Sequence, residues 1–241
     1  MGFLDFLTGG GDPQKQIDKL KRILMDQYRQ REQRLEAIDD LVRMGTPAAL
    51  AALLERFTLR VSGPTVDEQE KQYTYEKIAL WGPSAVEPLQ QFIFTKDAVY
   101  FPLRALRDLA GDEVAVDTLL KAIADCDPGY HQGLDRLREI VSNLRDFRHD
   151  RVRAALVGLL QSRSNEIRFY ALDGLSGYPA EEIAEQFASR MIDPAESQRV
   201  KALAYELAVE HRLPLAAWAE ALTPALPPSY SLDGDGYLAR A

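Results

Sequence analysis

One side-chain pattern returns six times along this chain: a basic residue, a small residue three positions on, and apolar residues four and seven positions on. Arg34, Ala37, Ile38 and Leu41 fit it, as do Lys71, Thr74, Tyr75 and Ile78, and Arg168, Ala171, Leu172 and Leu175. Pro102, Ala105, Leu106 and Leu109 keep the frame with proline in the basic slot, and Leu137, Ile140, Val141 and Leu144 give a weaker copy. The sixth copy is read at Arg199, Ala202 and Leu203, with its last apolar position slipped to Leu207. The copies start at 34, 71, 102, 137, 168 and 199, in steps of 37, 31, 35, 31 and 31 residues. A period of this length suits one helical hairpin per repeat, since a unit too small to bury its own apolar face buries it against the next.

Each copy is followed by a helix breaker and a second amphipathic run. Gly45-Thr46-Pro47 precedes Leu50, Leu53, Leu54 and Phe57, which share one helical face. Gly82-Pro83-Ser84 precedes Val86, Leu89, Phe92 and Ile93, and Gly111-Asp112 precedes Val114, Leu119, Leu120 and Ile123. Asp150 precedes Val152, Leu156, Leu159 and Leu160, and Gly177-Tyr178-Pro179 precedes Ile183, Phe187 and Met191. Pro214 opens a last run with Leu215, Trp218 and Leu222. Glycine ends helices by accepting a left-handed backbone, and proline starts them by fixing φ where no N–H bond is needed. No stretch of alternating β-branched residues competes with these helices, apart from the short Thr58-Leu59-Arg60-Val61. The expected fold is all-α: an α-solenoid of about six helical hairpins.

Two stretches carry a family resemblance. Ala79-Leu80-Trp81-Gly82-Pro83-Ser84-Ala85-Val86-Glu87-Pro88-Leu89 resembles the inter-helix turn and second helix of a HEAT repeat, and Asn165-Glu166-Ile167-Arg168-Phe169-Tyr170-Ala171-Leu172 resembles the start of its first helix. The likeness spans residues 31–222 and departs at Leu137, which stands in a basic slot, and at an insertion over 58–70. It implies a HEAT-like (PBS-lyase-type) superhelix and a scaffold that binds a protein rather than an enzyme. The layout is also similar to HEAT-repeat proteins of bacteria, which implies a bacterial, cytoplasmic protein.

Outside the repeats, residues 1–13 read as an apolar, Gly-rich leader and residues 14–30 as an N-terminal capping helix whose apolar stripe is Ile17, Leu20, Leu24 and Tyr28. The basic side chains Lys15, Lys19, Lys21, Arg22 and Arg29 beside that stripe leave a membrane-surface helix as the rival reading. Residues 223–241 form a Pro-rich tail in which Asp-Gly pairs between apolar residues favour a small hairpin. Ser231, Asp233 and Asp235 also fall at the first, third and fifth positions of a calcium loop. However, serine replaces the usual first aspartate, and the twelfth position falls beyond Ala241. No secretory signal or membrane span is expected, because Met1–Leu7 lacks a basic start and no apolar run approaches the length of a span. The single Cys126 fits a reducing compartment.

Catalysis needs converging groups, and the sequence offers none. His131, His149 and His211 lie at no metal-ligand spacing, and phosphate-loop and GxSxG signatures are absent. The HEAT-fold deoxyhypusine hydroxylases carry His-Glu pairs for iron, and this chain has no His-Glu. The HEAT-fold alkylpurine glycosylases are basic, whereas this chain has a net charge of −8. No cofactor or metal is expected, and neither nucleic acid nor a small molecule is the expected ligand.

The charge is uneven, with 10 basic and 9 acidic side chains over residues 1–60 and 19 and 28 thereafter. Against that trend, Arg136, Arg138, Arg145, Arg148, Arg151, Arg153, Arg163 and Arg168 face only Asp135, Glu139, Asp146, Asp150 and Glu166. The densest part, from Arg145 to Arg153, falls in the turn of the fourth repeat. Arg145, Phe147, Arg148, His149, Arg151 and Arg153 are therefore the candidate partner-binding residues, with arginine forks for a partner's carboxylates and Phe147 as an apolar anchor. The expected partner is a protein with an acidic segment. The alternatives are a phosphate ligand or nucleic acid at the arginines of 136–168, a lyase-like or glycosylase-like enzyme of the HEAT fold, and internal pairing of those arginines with Asp146 and Asp150.

Overall fold

The computed structural model describes residues 12–126 and 131–241, which leaves most of the expected leader outside the described residues. The chain is mostly helical and divides into two compact units, the first ending at Thr118 and the second beginning at Leu119. Among the described residues no helix is long and apolar enough to cross a membrane.

The first unit opens with α1 (Pro13–Leu24), capped by the Asp12 side chain and started by Pro13. Its Ile17, Leu20 and Leu24 are buried where α1 packs on α2 (Arg31–Met44) and α3 (Pro47–Leu54). That packing uses up the apolar stripe that a membrane-surface helix would need. The helix stops six residues before the expected end: the Asp26 side chain accepts the Tyr28 N–H, and Tyr28 is left 88% exposed. Between α2 and α3, Gly45 takes φ +61° and Thr46 caps Ala49, so the Gly-Thr-Pro triplet both ends and starts a helix.

After α3 a 3-10 turn (Glu55–Thr58) leads into a loop, and residues 58–61 form no strand. The insertion instead starts α4 (Pro64–Ile78). A turn broken at Gly82, where φ is +54°, joins α4 to α5 (Val86–Thr95). Next comes α6 (Tyr100–Ala124), interrupted at Gly111 with φ +84°. Within the first unit α2 lies beside α4 and α3 beside α5. Phe57, Phe92 and Phe101 meet in its core, with Phe57 stacked on Phe101 at 5.6 Å and edge-on to Phe92 at 6.3 Å.

The basic slot of the first repeat has an unexpected use. Arg34 is buried and sends a two-pronged fork to Glu70 at the start of the next repeat, Nε to Oε2 at 2.9 Å and Nη2 to Oε1 at 2.6 Å. Arg56, fully buried at the end of the α3 hairpin arm, reaches the same Oε2 at 2.9 Å from Nη2 and also binds Asp67 at 2.9 Å. Its Nη1 donates to the Leu59 carbonyl at 3.0 Å, and Lys71 covers the other oxygen of Asp67 at 2.7 Å. This wiring is what the 58–70 insertion supplies.

In the second unit, α9 (Asn165–Leu175) lies between α7 (His131–Leu144) and α11 (Gln198–Glu210). The intervening helices α8 (Asp150–Leu159) and α10 (Ala180–Ile192) pack against α9 and α11 respectively. Ser164 and Ser197 cap α9 and α11 through Ile167 and Val200. The same ionic device recurs here. Arg168 forks onto Glu196 at 2.8 and 2.7 Å, and Arg190 approaches it at 3.5 Å. Arg190 stands as many residues beyond Arg168 as Arg56 stands beyond Arg34.

Three frame readings need correction. Leu109 is only half-buried, and so is Tyr75 in the second copy. In the sixth copy Ala202 is exposed while Ala204 and Ala208 are fully buried and Tyr205 is 5% exposed, so the frame falls on Lys201, Ala204, Tyr205 and Ala208. The last run holds only a 3-10 turn at 216–218 and α12 (Ala219–Leu222), since Pro224, Pro227 and Pro228 cannot continue a helix. The tail closes as an antiparallel hairpin, β1 (Tyr230–Leu232) on β2 (Leu238–Arg240), with Leu232 opposite Leu238. Gly236 has φ +82°, and a β-carbon there would stand 2.6 Å from the Ala216 backbone.

Burial pushes the Glu70 and Glu196 carboxyls up, but the arginine hydrogen bonds outweigh it and hold both below their ordinary value; Asp67 is lowered in the same way by Lys71 and Arg56. Depressed folded values mean that the unfolded chain takes up these protons first. The stabilisation is therefore complete above the ordinary carboxylate range and lost as pH falls through the folded values. The urea midpoint should hold from neutral pH to about 5 and drop steeply below about 4. A midpoint that stayed level to about pH 2 would show that these carboxylates do not matter to folding.

Candidate functional site

The arginine-rich turn connects α7 to α8 in the second unit. His149 adopts an extended backbone and caps α8, its Nδ1 accepting the Arg151 N–H at 3.1 Å. Phe147 is 3% exposed, so its ring belongs to the core and is not available as an interface anchor. This corrects the expectation drawn from its position among charged neighbours: the Phe147 N–H closes the turn on the Leu144 carbonyl at 3.0 Å, and the ring is buried while Asp146 and Arg148 on either side are exposed.

The arginines divide by partner. Arg145, though 60% exposed, pairs with Asp173 on α9 at 3.2 Å and more loosely with Asp146 at 4.0 Å. Arg153 pairs with Glu182 on α10 at 3.3 Å and with Asp150 at 3.7 Å. Arg138 is shared among Asp135, Glu139 and Glu166, and Arg168 is committed to Glu196. For Arg145 and Arg153 the closer pairing is with an acid on a neighbouring helix rather than with one in the turn.

Arg148 differs. Among the described residues no carboxylate pairs with it, yet its position is defined. Its Nη1 donates to the Arg145 carbonyl and, at 3.5 Å, to that of Phe147. Its guanidinium lies 5.6 Å from the centre of the Tyr178 ring. It also rests against Gly177, where any β-carbon would collide with Nη2 and Cζ. Tyr178 in turn holds the turn itself. Its hydroxyl lies 3.1 and 3.2 Å from the carbonyl oxygens of His149 and Phe147 and accepts the His149 N–H at 3.4 Å. Burial raises the Tyr178 phenol above its ordinary value, which keeps it a donor.

Arg148 is common to two open clefts. One, of about 550 Å³, is lined by Arg148, His149, Asp150, Gly177, Tyr178, Pro179 and Glu182. The other, of about 200 Å³, is lined by Arg145, Asp146, Arg148, Asp173, Gly174, Ser176 and Gly177. The structure therefore brings Arg148 together with His149 in one cleft and with Arg145 in the other, while Arg151 and Arg153 line neither. Nothing local marks Gly177 and Tyr178 as site residues, because their sequence context reads simply as a helix break. Tyr178 lies 31 residues after Phe147, one repeat further on, and that spacing was the available signal. Among the described residues no group of three or more His, Cys, Asp or Glu side chains is placed to hold a metal ion.

The sequence matches no protein-family model, and no curated relative matches it. An engineered protein solved by the Northeast Structural Genomics Consortium aligns with 87% of this chain at 16% identity and a TM-score of 0.39. The match covers 61% of that protein's length, and a superposition this loose bears on neither fold nor function.

Removing the Tyr178 hydroxyl should loosen the turn without emptying the core. Tyr178→Phe is expected to cost about 1 kcal/mol in urea unfolding, the ordinary net value of a hydrogen bond. Gly177→Ala should leave the midpoint nearly unchanged, because the flexible Arg148 side chain can swing aside. If Gly177→Ala proved the costlier of the two, the backbone rather than Arg148 would be filling that space.

Proposed function

We propose that this chain is a non-catalytic protein-binding scaffold built of stacked HEAT-like hairpins, and that Arg148 offers its guanidinium to a carboxylate on the partner. The observation that carries the reading is Arg148 itself, an exposed arginine held by two carbonyls, a tyrosine ring and a glycine, with no acid to neutralise it among the described residues. A fork already in place loses little side-chain entropy on binding, so more of a charge-assisted bond is left as affinity. Rows of like helices within each unit, α2 beside α4 and α7 beside α9 beside α11, support the stacked-hairpin part of the proposal.

A polyphosphate backbone fits the clefts less well. Asp146, Asp150, Asp173 and Glu182 line them beside Arg148, and they would repel a run of phosphates while tolerating one carboxylate. The test is capture of partners from the native host with the wild-type chain, Arg148→Glu, and Arg163→Glu as a surface control. Capture should fall at least about tenfold for Arg148→Glu alone, with melting unchanged in both variants. Equal capture by all three would remove Arg148 from the reading.

A further inference from the structure

In the first unit a second groove runs between α4 and α6. It has a volume of about 240 Å³ and is lined by Tyr75, Glu76, Ala79, Ala105, Asp108 and Leu109. Its floor is apolar: Ala105 is buried, Ala79 is exposed, and Leu109 is a frame leucine left half-covered. The residue after Ala79, Leu80, is itself 70% exposed. Leu109 stands out here because other frame leucines, such as Leu41 and Leu175, are completely buried.

The groove's walls are anionic. Glu76 accepts only the neutral Gln72 amide at 2.8 Å, and Asp108 accepts the Tyr75 hydroxyl. Among the described residues neither carboxylate has a cationic partner, whereas Asp39, Asp67, Asp112, Asp173 and Glu196 all do. The neighbouring cation, Arg104, is turned away onto the Tyr75 ring at 4.5 Å and donates to Gln72 at 3.1 Å. Asp108 also stands in the last turn of the helical stretch that Gly111 ends, where free carbonyls add negative potential.

We infer that this groove docks a basic amphipathic segment of a protein partner. A lysine or arginine head lies between Glu76 and Asp108, and aliphatic side chains lie over Ala79, Ala105 and Leu109. Long basic side chains suit both halves of such a groove, since their stems cover apolar surface while their heads meet the carboxylates. The net charge of −8 draws a basic segment in, and the two unpaired carboxylates fix where it seats. This inference is independent of Arg148.

The test is fluorescence anisotropy of the full chain with a labelled amphipathic leucine–lysine peptide and its leucine–glutamate counterpart. The leucine–lysine peptide should bind and its counterpart should not. Three variants locate the site: Glu76→Lys with Asp108→Lys, Ala79→Trp to fill the groove without changing charge, and Glu181→Lys with Glu185→Lys on the exposed side of α10 as a charge-matched control. Affinity should fall about tenfold or more in the first two and stay near wild type in the third, with helicity by circular dichroism unchanged throughout. Equal losses in the two charge-reversed variants would reveal non-specific attraction and overturn the inference. So would a leucine–lysine peptide that failed to bind the wild type, or one indifferent to Ala79→Trp.

Discussion

Two guanidinium groups, Arg34 and Arg56, close on one fully buried carboxylate, Glu70, and the first unit is arranged around that meeting. A buried ion cluster of this kind adds little net stability compared with an apolar packing of the same volume, but breaking it leaves an unpaired charge away from water, at a cost of several kcal/mol. Its effect is therefore to exclude alternatives. Any placement of α4 that slides Glu70 away from Arg34 strands three charges at once. The register of α4 against α2 is fixed by that penalty, and the positions of Tyr73 and Lys77 over Asp39, at 2.8 and 2.9 Å, follow from it.

The second unit uses the same device with a shorter connection. Arg168 and Arg190 take the places of Arg34 and Arg56, and Glu196 takes that of Glu70. The arginine spacing is the same in both units, while the glutamate follows the second arginine by 14 residues in the first and by 6 in the second. The difference is the inserted loop, which lets Asp67 and Lys71 join the network. The candidate site depends on the same framework, because α9 carries Arg168 near one end and leads into Gly177 and Tyr178 at the other.

The helical class of the chain and its breaks were legible in the sequence because glycine, proline and apolar spacing are local signals. Gly45, Gly82 and Gly111 all take the positive φ that their contexts call for. Pairings between repeats were not legible. Arg34 and Arg168 stood out as members of a pattern, but nothing local points from a basic slot to a glutamate 36 or 28 residues later. The turn from Arg145 to Arg153 was legible as a charged segment, not as a structure. Neutralisation by Asp173 and Glu182 and the inward turn of Phe147 are set by neighbouring hairpins. At Leu109 and in the sixth copy the local pattern is present, yet Leu109 is half-covered and Ala202 exposed, since burial depends on the packing of neighbouring helices and not on the pattern alone.

A double-mutant cycle between Arg34 and Glu70 tests the central role of the buried network most directly. Arg34→Leu, Glu70→Leu and the double variant would be unfolded in urea at neutral pH. The network account predicts that Glu70→Leu costs about 3–5 kcal/mol, because it strands the Arg34 charge, and that Arg34→Leu costs less, because Arg56 still pairs with Glu70. It also predicts that the double variant costs about 2 kcal/mol or more below the sum of the singles. Costs that add to within about 0.5 kcal/mol would mean that the two side chains act independently, and that α4 takes its register from packing alone.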